Sequence, residues 1–172
     1  MKVKTVKLSL LLGALLITLI SCDPAKKWEK EEKQSIQDYL VGLGDTAYVT
    51  KPSGLVVIEL VAGTGILPAI DDTVSIRYKG CFMNGTVFAS NATEAEPLTF
   101  IAGTGDLMDG YNRLIEGLSE GVLYIKDGGT SRLITPSALA YGGRGTPDGR
   151  IPGFTALRWE IQVVSVIPGP AK

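Results

Sequence analysis

The sequence predicts an α+β domain built on an antiparallel sheet. Short runs rich in Val, Ile and Thr recur between Gly- and Pro-containing turn signals. A single central stretch has helical spacing, and strands and helices do not alternate as βαβ units.

The elements follow in order. After Pro52-Ser53-Gly54, residues Leu55 to Val61 form a β-branched strand that Gly63-Thr64-Gly65 closes. Thr73 to Phe82 alternates as a second strand. Met83-Asn84-Gly85-Thr86 is a type I′ hairpin signal, with Asn-Gly supplying positive φ angles. The same residues begin one of two glycosylation sequons, the other being Asn91-Ala92-Thr93, but the turn accounts for the first. Pro97 to Ile101 is a further short strand. Between Asn112 and Tyr124, Leu114, Ile115, Leu118 and Val122 mark a short helix. Gly128-Gly129 separates it from a strand over Thr130 to Thr135, and Ala140 to Gly153 is a Gly- and Pro-rich loop. In the last strand, Thr155 to Val166, Leu157, Trp159, Ile161 and Val163 share one face.

Ahead of this domain, Lys2, Lys4 and Lys7 precede an apolar run from Leu8 to Ile20, which fits a signal-peptide core better than a bilayer span. The run ends in Leu19-Ile20-Ser21-Cys22, which resembles the lipobox of bacterial lipoproteins. That resemblance implies a diacylglycerol thioether on Cys22 and cleavage just before it. Ordinary secretory cleavage and an uncleaved anchor are the alternatives. The expected organisation is a signal over 1–21, a tether and short helix over 22–52, and the folded domain over 53–168. The tether is dense in Lys and Glu from Ala25 to about Gln37; Ile36, Tyr39, Leu40 and Leu43 then give helical spacing up to Gly42 or Gly44.

Removing Lys2, Lys4 and Lys7 from 17 basic residues leaves 14 against 18 acidic ones. A mildly acidic chain argues against nucleic acid as a partner. The chain contains no histidine, which excludes a Ser-His-Asp triad, imidazole acid–base catalysis and His metal ligands. No clustered ligand set points to a metal, and neither Gly63-Thr64-Gly65 nor Gly103-Thr104-Gly105 begins a P-loop. The only cysteines are Cys22 and Cys81. With Cys22 lipidated, Cys81 has no partner in the chain and reads as a small buried hydrophobe.

Four segments, in order, resemble FKBP-type peptidyl-prolyl cis-trans isomerases. They are Val74-Ser75-Ile76-Arg77-Tyr78-Lys79-Gly80; Asn84-Gly85-Thr86-Val87-Phe88; Leu114-Ile115-Glu116-Gly117-Leu118 onward to Lys126-Asp127-Gly128-Gly129; and Ala140-Tyr141-Gly142-Gly143-Arg144-Gly145-Thr146-Pro147 followed by Ile151-Pro152 and Leu157-Arg158-Trp159-Glu160. The likeness covers about Ser53 to Val166. It implies a strongly bent antiparallel sheet, a half-barrel, wrapped over a short helix, with the ligand pocket between helix and concave face. It implies prolyl isomerisation without a cofactor, proline-containing polypeptides as clients, Tyr78, Phe88, Ile115, Tyr141 and Trp159 as catalytic residues, and Leu98, Phe100, Leu114, Leu118 and Ile151 as substrate-binding residues. In the family the tyrosine hydroxyl and the isoleucine N–H would hydrogen-bond the substrate backbone. Core packing is the competing explanation for each aromatic.

The chain departs from the family pattern at four positions. Ala89 stands where an Asp usually follows the hairpin Phe, Leu118 where the pocket floor is often Trp, Leu98 where a Phe is usual, and Thr146 where a His is usual. Leu107-Met108-Asp109-Gly110-Tyr111 also resembles Leu114-Ile115-Glu116-Gly117-Leu118, so either copy could enter the helix, with Tyr111 as the pocket floor in the first case. Two functions therefore stand: an isomerase of exported proteins, lipid-anchored in the cell envelope on the periplasmic side or at the cell surface, or an isomerase-like binding module with little catalysis.

Overall fold

The computed structural model describes residues 24–108 and 113–170. Cys22 and the signal-like segment lie outside the described residues, as does Tyr111.

Helix α1, Pro24–Gly42, opens the structure. It starts well before the apolar spacing, because the charged stretch expected as a tether is itself helical. Lys and Glu are good helix formers, and i,i+4 partners support them: Lys27 with Glu31 at 3.8 Å and Gln34 with Asp38 at 2.7 Å. Ile36, Tyr39, Leu40 and Leu43 form the stripe that packs on Val56, Ile58 and Ile134. The chain turns away through Gly44, at φ +60°.

The sheet is antiparallel throughout. Its strands are β1 (Val49–Thr50), β2 (Val56–Val61), β3 (Thr73–Phe82), β4 (Val87–Ser90), β5 (Leu98–Ile101), β6 (Thr130–Thr135) and β7 (Leu157–Ile167), in spatial order β1-β2-β6-β7-β3-β4, with β5 also on β3. The seven strands include one, β1, that sequence patterning does not mark. Leu55 to Ile58 is a continuous buried run because both sheet faces are covered there. Val56 and Ile58 meet α1, while Leu55 and Val57 enter the main core. On β7 the expected alternation holds: Leu157, Trp159, Ile161 and Val163 are all buried in that core.

The central helix is shorter than the spacing suggests. Helix α2 runs Glu116–Gly121 and passes into a 3-10 turn, Val122–Tyr124. Residues 113 to 115 are held outside it by the Leu114 N–H to Gly105 carbonyl bond (2.8 Å) and the Arg113–Asp106 ion pair (3.0 Å). Within α2, Gly117 and Gly121 lie one turn apart on one face. A Cβ at either would lie 2.3 Å from Thr135 Cγ2 or 2.2 Å from Leu133 Cδ1, so bare glycine lets the helix rest against β6.

The β3–β4 hairpin is not a type I′ turn. The Gly85 N–H donates to Phe82 O at 2.9 Å, and Gly85 alone has positive φ, at +93°. That is the pattern of a three-residue loop ending in a left-handed glycine. Asn84 instead accepts the Thr86 N–H through Oδ1 at 3.0 Å.

Candidate active site

Strand alternation puts Tyr78 and Gly80 on one face of β3, and the register sets Gly80 opposite both Trp159 on β7 and Ala89 on β4. Three aromatic pairs result. Phe88 meets Trp159 edge-on at 5.2 Å and 87°, Tyr78 meets Trp159 at 6.0 Å and 61°, and Phe82 meets Phe88 at 5.2 Å and 56°. Such tilted contacts match positive ring edges to negative faces. Gly80 makes this possible. A Cβ there would lie 2.6 Å from Trp159 Cζ3 and 2.8 Å from Phe88 Cζ, so any side chain would pry the rings apart.

The remaining residues expected at the site gather on the same core cluster, at different depths. Phe100, Leu118, Trp159 and Ile151 are 0, 2, 3 and 4 % exposed, so they back the site rather than cover its surface. Tyr78, Phe88, Leu98, Leu114, Ile115 and Tyr141 are half-buried around them. Among the described residues a helix follows Ile115, with Ile115 at its N-cap and Leu118 in the core. In the first copy of the motif, Leu107 instead bridges Phe100 and Met108 is exposed.

The two tyrosines lie close enough to influence each other. Burial, then the neighbouring Tyr78 and Asp148, push the Tyr141 hydroxyl above the usual phenol range; burial and Glu94 do the same for Tyr78. Both remain protonated hydrogen-bond donors at neutral pH. Ala89 offers the Tyr78 hydroxyl no side-chain acceptor. Trp159 Nε1–H is buried without a hydrogen-bond partner among the described residues, a costly state for a polar group.

The far part of the long loop is tied by hydrogen bonds between Thr146 and Ile151. Thr146 N–H donates to Ile151 O at 2.9 Å, and Thr146 Oγ1 accepts the Ile151 N–H at 3.0 Å. Thr146, in place of the usual His, thus clamps Ile151 against the site.

Residues 65–164 match the family model for FKBP-type peptidyl-prolyl cis-trans isomerase. The chain belongs to this family. It is 37 % identical over 121 residues to the FKBP-type isomerase FkpA of Escherichia coli, a match that covers 70 % of this chain and 41 % of that one. The macrophage infectivity potentiator of Trypanosoma cruzi is 34 % identical over 122 residues, covering 70 % of this chain and 57 % of its own length. Among solved structures, Escherichia coli FkpA superposes with a TM-score of 0.66 at 33 % identity, covering 85 % of this chain and 65 % of that one. A peptidyl-prolyl isomerase of Pseudomonas syringae gives 0.66 at 26 %, covering 84 % and 97 %. The FKBP fold is therefore shared, although the chain spans well under two thirds of the FkpA and infectivity-potentiator sequences.

Two residues important to this FKBP site escape sequence reasoning. Asn91, 1 % exposed, fills the gap where β4 leaves β3 and β5 joins it. Its Oδ1 accepts the Tyr78 N–H at 2.7 Å and its Nδ2 donates to Ile76 O at 3.1 Å, replacing a missing strand partner beside Tyr78. Arg77 donates to the carbonyls of Asn91, Glu94, Ala95 and Glu96, between 2.8 and 3.2 Å, and so shapes the connection. Only the sequon drew notice to Asn91, and nothing local distinguishes Arg77 from a surface charge.

Proposed function

We propose that the chain catalyses cis-trans isomerisation of X-Pro bonds in exported proteins, assisting their folding in the cell envelope while lipid on Cys22 holds it to a membrane. The observation that carries the reading is the Tyr78–Trp159–Phe88 aromatic face beside Tyr141 and Ile115. The barrier to rotation about a peptide bond is about 18–20 kcal/mol, and X-Pro bonds turn over in tens to hundreds of seconds unaided. No nucleophile or proton transfer is needed. A twisted amide has lost resonance and carries less carbonyl charge than a planar one, so an apolar, water-poor surface disfavours the planar ground state more. Phe88 would wall the proline ring over a floor backed by Leu118 and Trp159; the Tyr141 hydroxyl and the Ile115 N–H would bond the substrate backbone.

A protease-coupled proline-peptide assay on the chain from residue 23 onward tests this. Acceleration above the thermal rate is expected, reduced in Tyr141→Phe and Trp159→Ala; no acceleration at micromolar protein would sink catalysis. That outcome would leave the binding module, which Ala89 favours by leaving Tyr78 without its usual acidic partner. The anchor has its own test: a clickable fatty acid fed to expressing bacteria should label the wild type and not Cys22→Ser.

A further inference from the structure

Glu32, on α1, stands away from the aromatic face yet reaches the loop that carries Tyr141. Its carboxylate accepts the Ser137 N–H and, at 2.8 Å, the Ser137 hydroxyl. Ser137 opens a 3-10 turn, Ser137–Leu139, whose N-cap Pro136 provides no side-chain hydrogen bond. Glu32 does that work from 105 residues away in sequence. The Ser137 carbonyl in turn accepts the Ala140 N–H at 2.9 Å and the Gly142 N–H at 2.7 Å. Tyr141 lies between those two donors, so its backbone hangs from the residue that Glu32 grips. Beyond it, the Gly142 carbonyl accepts the Phe154 N–H at 2.9 Å, which closes the far side of the loop.

A cleft of about 590 Å³ is lined by Glu29, Lys33 and Ile36 of α1 and by Gly142, Gly143 and Phe154, and the Glu32–Ser137 contact lies in its wall. Glycine flanks Tyr141 on its C-terminal side at Gly142 and Gly143, where the backbone has little intrinsic stiffness. The hydrogen-bonded chain from Glu32 through Ser137 to Gly142 links α1 to the backbone of Tyr141, whose carbonyl accepts the Gly145 N–H at 3.0 Å and whose ring packs on the main core.

We propose that Glu32 is a positioning residue for the isomerase site, acting through Ser137 to hold the Tyr141 hydroxyl where a substrate carbonyl meets it. The inference rests on the reading of Tyr141 as a substrate-bonding group. It makes α1 part of the active machinery rather than a spacer.

The test uses the full chain and the variants Glu32→Ala, Glu32→Gln, Tyr141→Phe and Glu32→Ala/Tyr141→Phe, each checked for a cooperative thermal transition. Glu32→Ala should lower kcat/KM about tenfold, as a lost positioning contact does. Glu32→Gln should recover most of it, since its amide oxygen still accepts the Ser137 N–H. Adding Glu32→Ala to Tyr141→Phe should cost nothing further. Equal losses in both backgrounds, or no loss in Glu32→Ala, would overturn the proposal. If Glu32→Ala fails to fold, Glu32→Asp, whose carboxylate is one methylene short of Ser137, carries the same comparison with and without Tyr141→Phe. If the wild type shows no isomerisation, the functional reading falls, and NMR decides positioning separately. Glu32→Ala should move the Gly142 amide and Tyr141 ring resonances and leave the Trp159 indole in place; unmoved Tyr141 signals would overturn it.

Discussion

Replacing Gly80 by alanine puts a methyl group at the centre of the aromatic face. At 2.6 Å from Trp159 Cζ3, 2.8 Å from Phe88 Cζ and 3.0 Å from Phe88 Cε2, it would overlap both rings. Carbon atoms settle at about 3.5–4.0 Å, so the rings must retreat by about 1 Å. They have little room, because Trp159 is 3 % exposed and packed into the main core. Overpacking of this kind costs about 1–3 kcal/mol, and part of the edge-to-face term, about 0.5–1.5 kcal/mol, is lost with it. A net loss of about 2 kcal/mol should lower the melting temperature by about 4–8 °C in a domain this size. A displacement of about 1 Å in the wall of the site should also reduce kcat/KM about tenfold or more. Thermal unfolding and the protease-coupled assay on the same preparation read both. Unchanged stability together with unchanged kcat/KM would refute the account of Gly80 as the spacer of the aromatic face.

Two further outcomes follow from the same structure. Asn91→Ala should destabilise by about 2–4 kcal/mol in chemical denaturation, because it leaves the Tyr78 N–H and the Ile76 carbonyl without their partner; a loss no larger than that of a surface substitution would contradict the strand-mimic role. The N–H groups of Ala69 and Gly169 hold the buried Asp72 carboxyl below its ordinary 3.8. A carboxyl depressed on folding adds stability that is present above the unfolded value and is lost as pH falls through the folded one. Stability measured from about pH 5 down to pH 2 should therefore fall less steeply in Asp72→Asn than in the wild type, and identical slopes would exclude this contribution.

Sequence alone determined the class of fold and most of its strands, because these depend on local quantities. Period-two burial on β7 and the bounds of β3 and β6 were legible, since alternation and turn residues are written in neighbouring positions. So was the convergence of Tyr78, Phe88, Tyr141 and Trp159, which the family resemblance carried and the shared core cluster now displays. The tertiary structure decided the rest. Charged residues from Pro24 onward became helix because Ile36, Tyr39, Leu40 and Leu43 found the sheet face away from the main core and Glu32 found Ser137. The hairpin took one left-handed residue rather than two, and α2 began only after Ile115, because hydrogen bonds to the Phe82 and Gly105 carbonyls settled competitions that propensity leaves open. Asn91 and Arg77 acquire their roles only where the connection between β4 and β5 folds back on β3. Gly80 acquires its role from Trp159, distant in the chain and set opposite it by register, and register is a property of the whole sheet rather than of any segment in it.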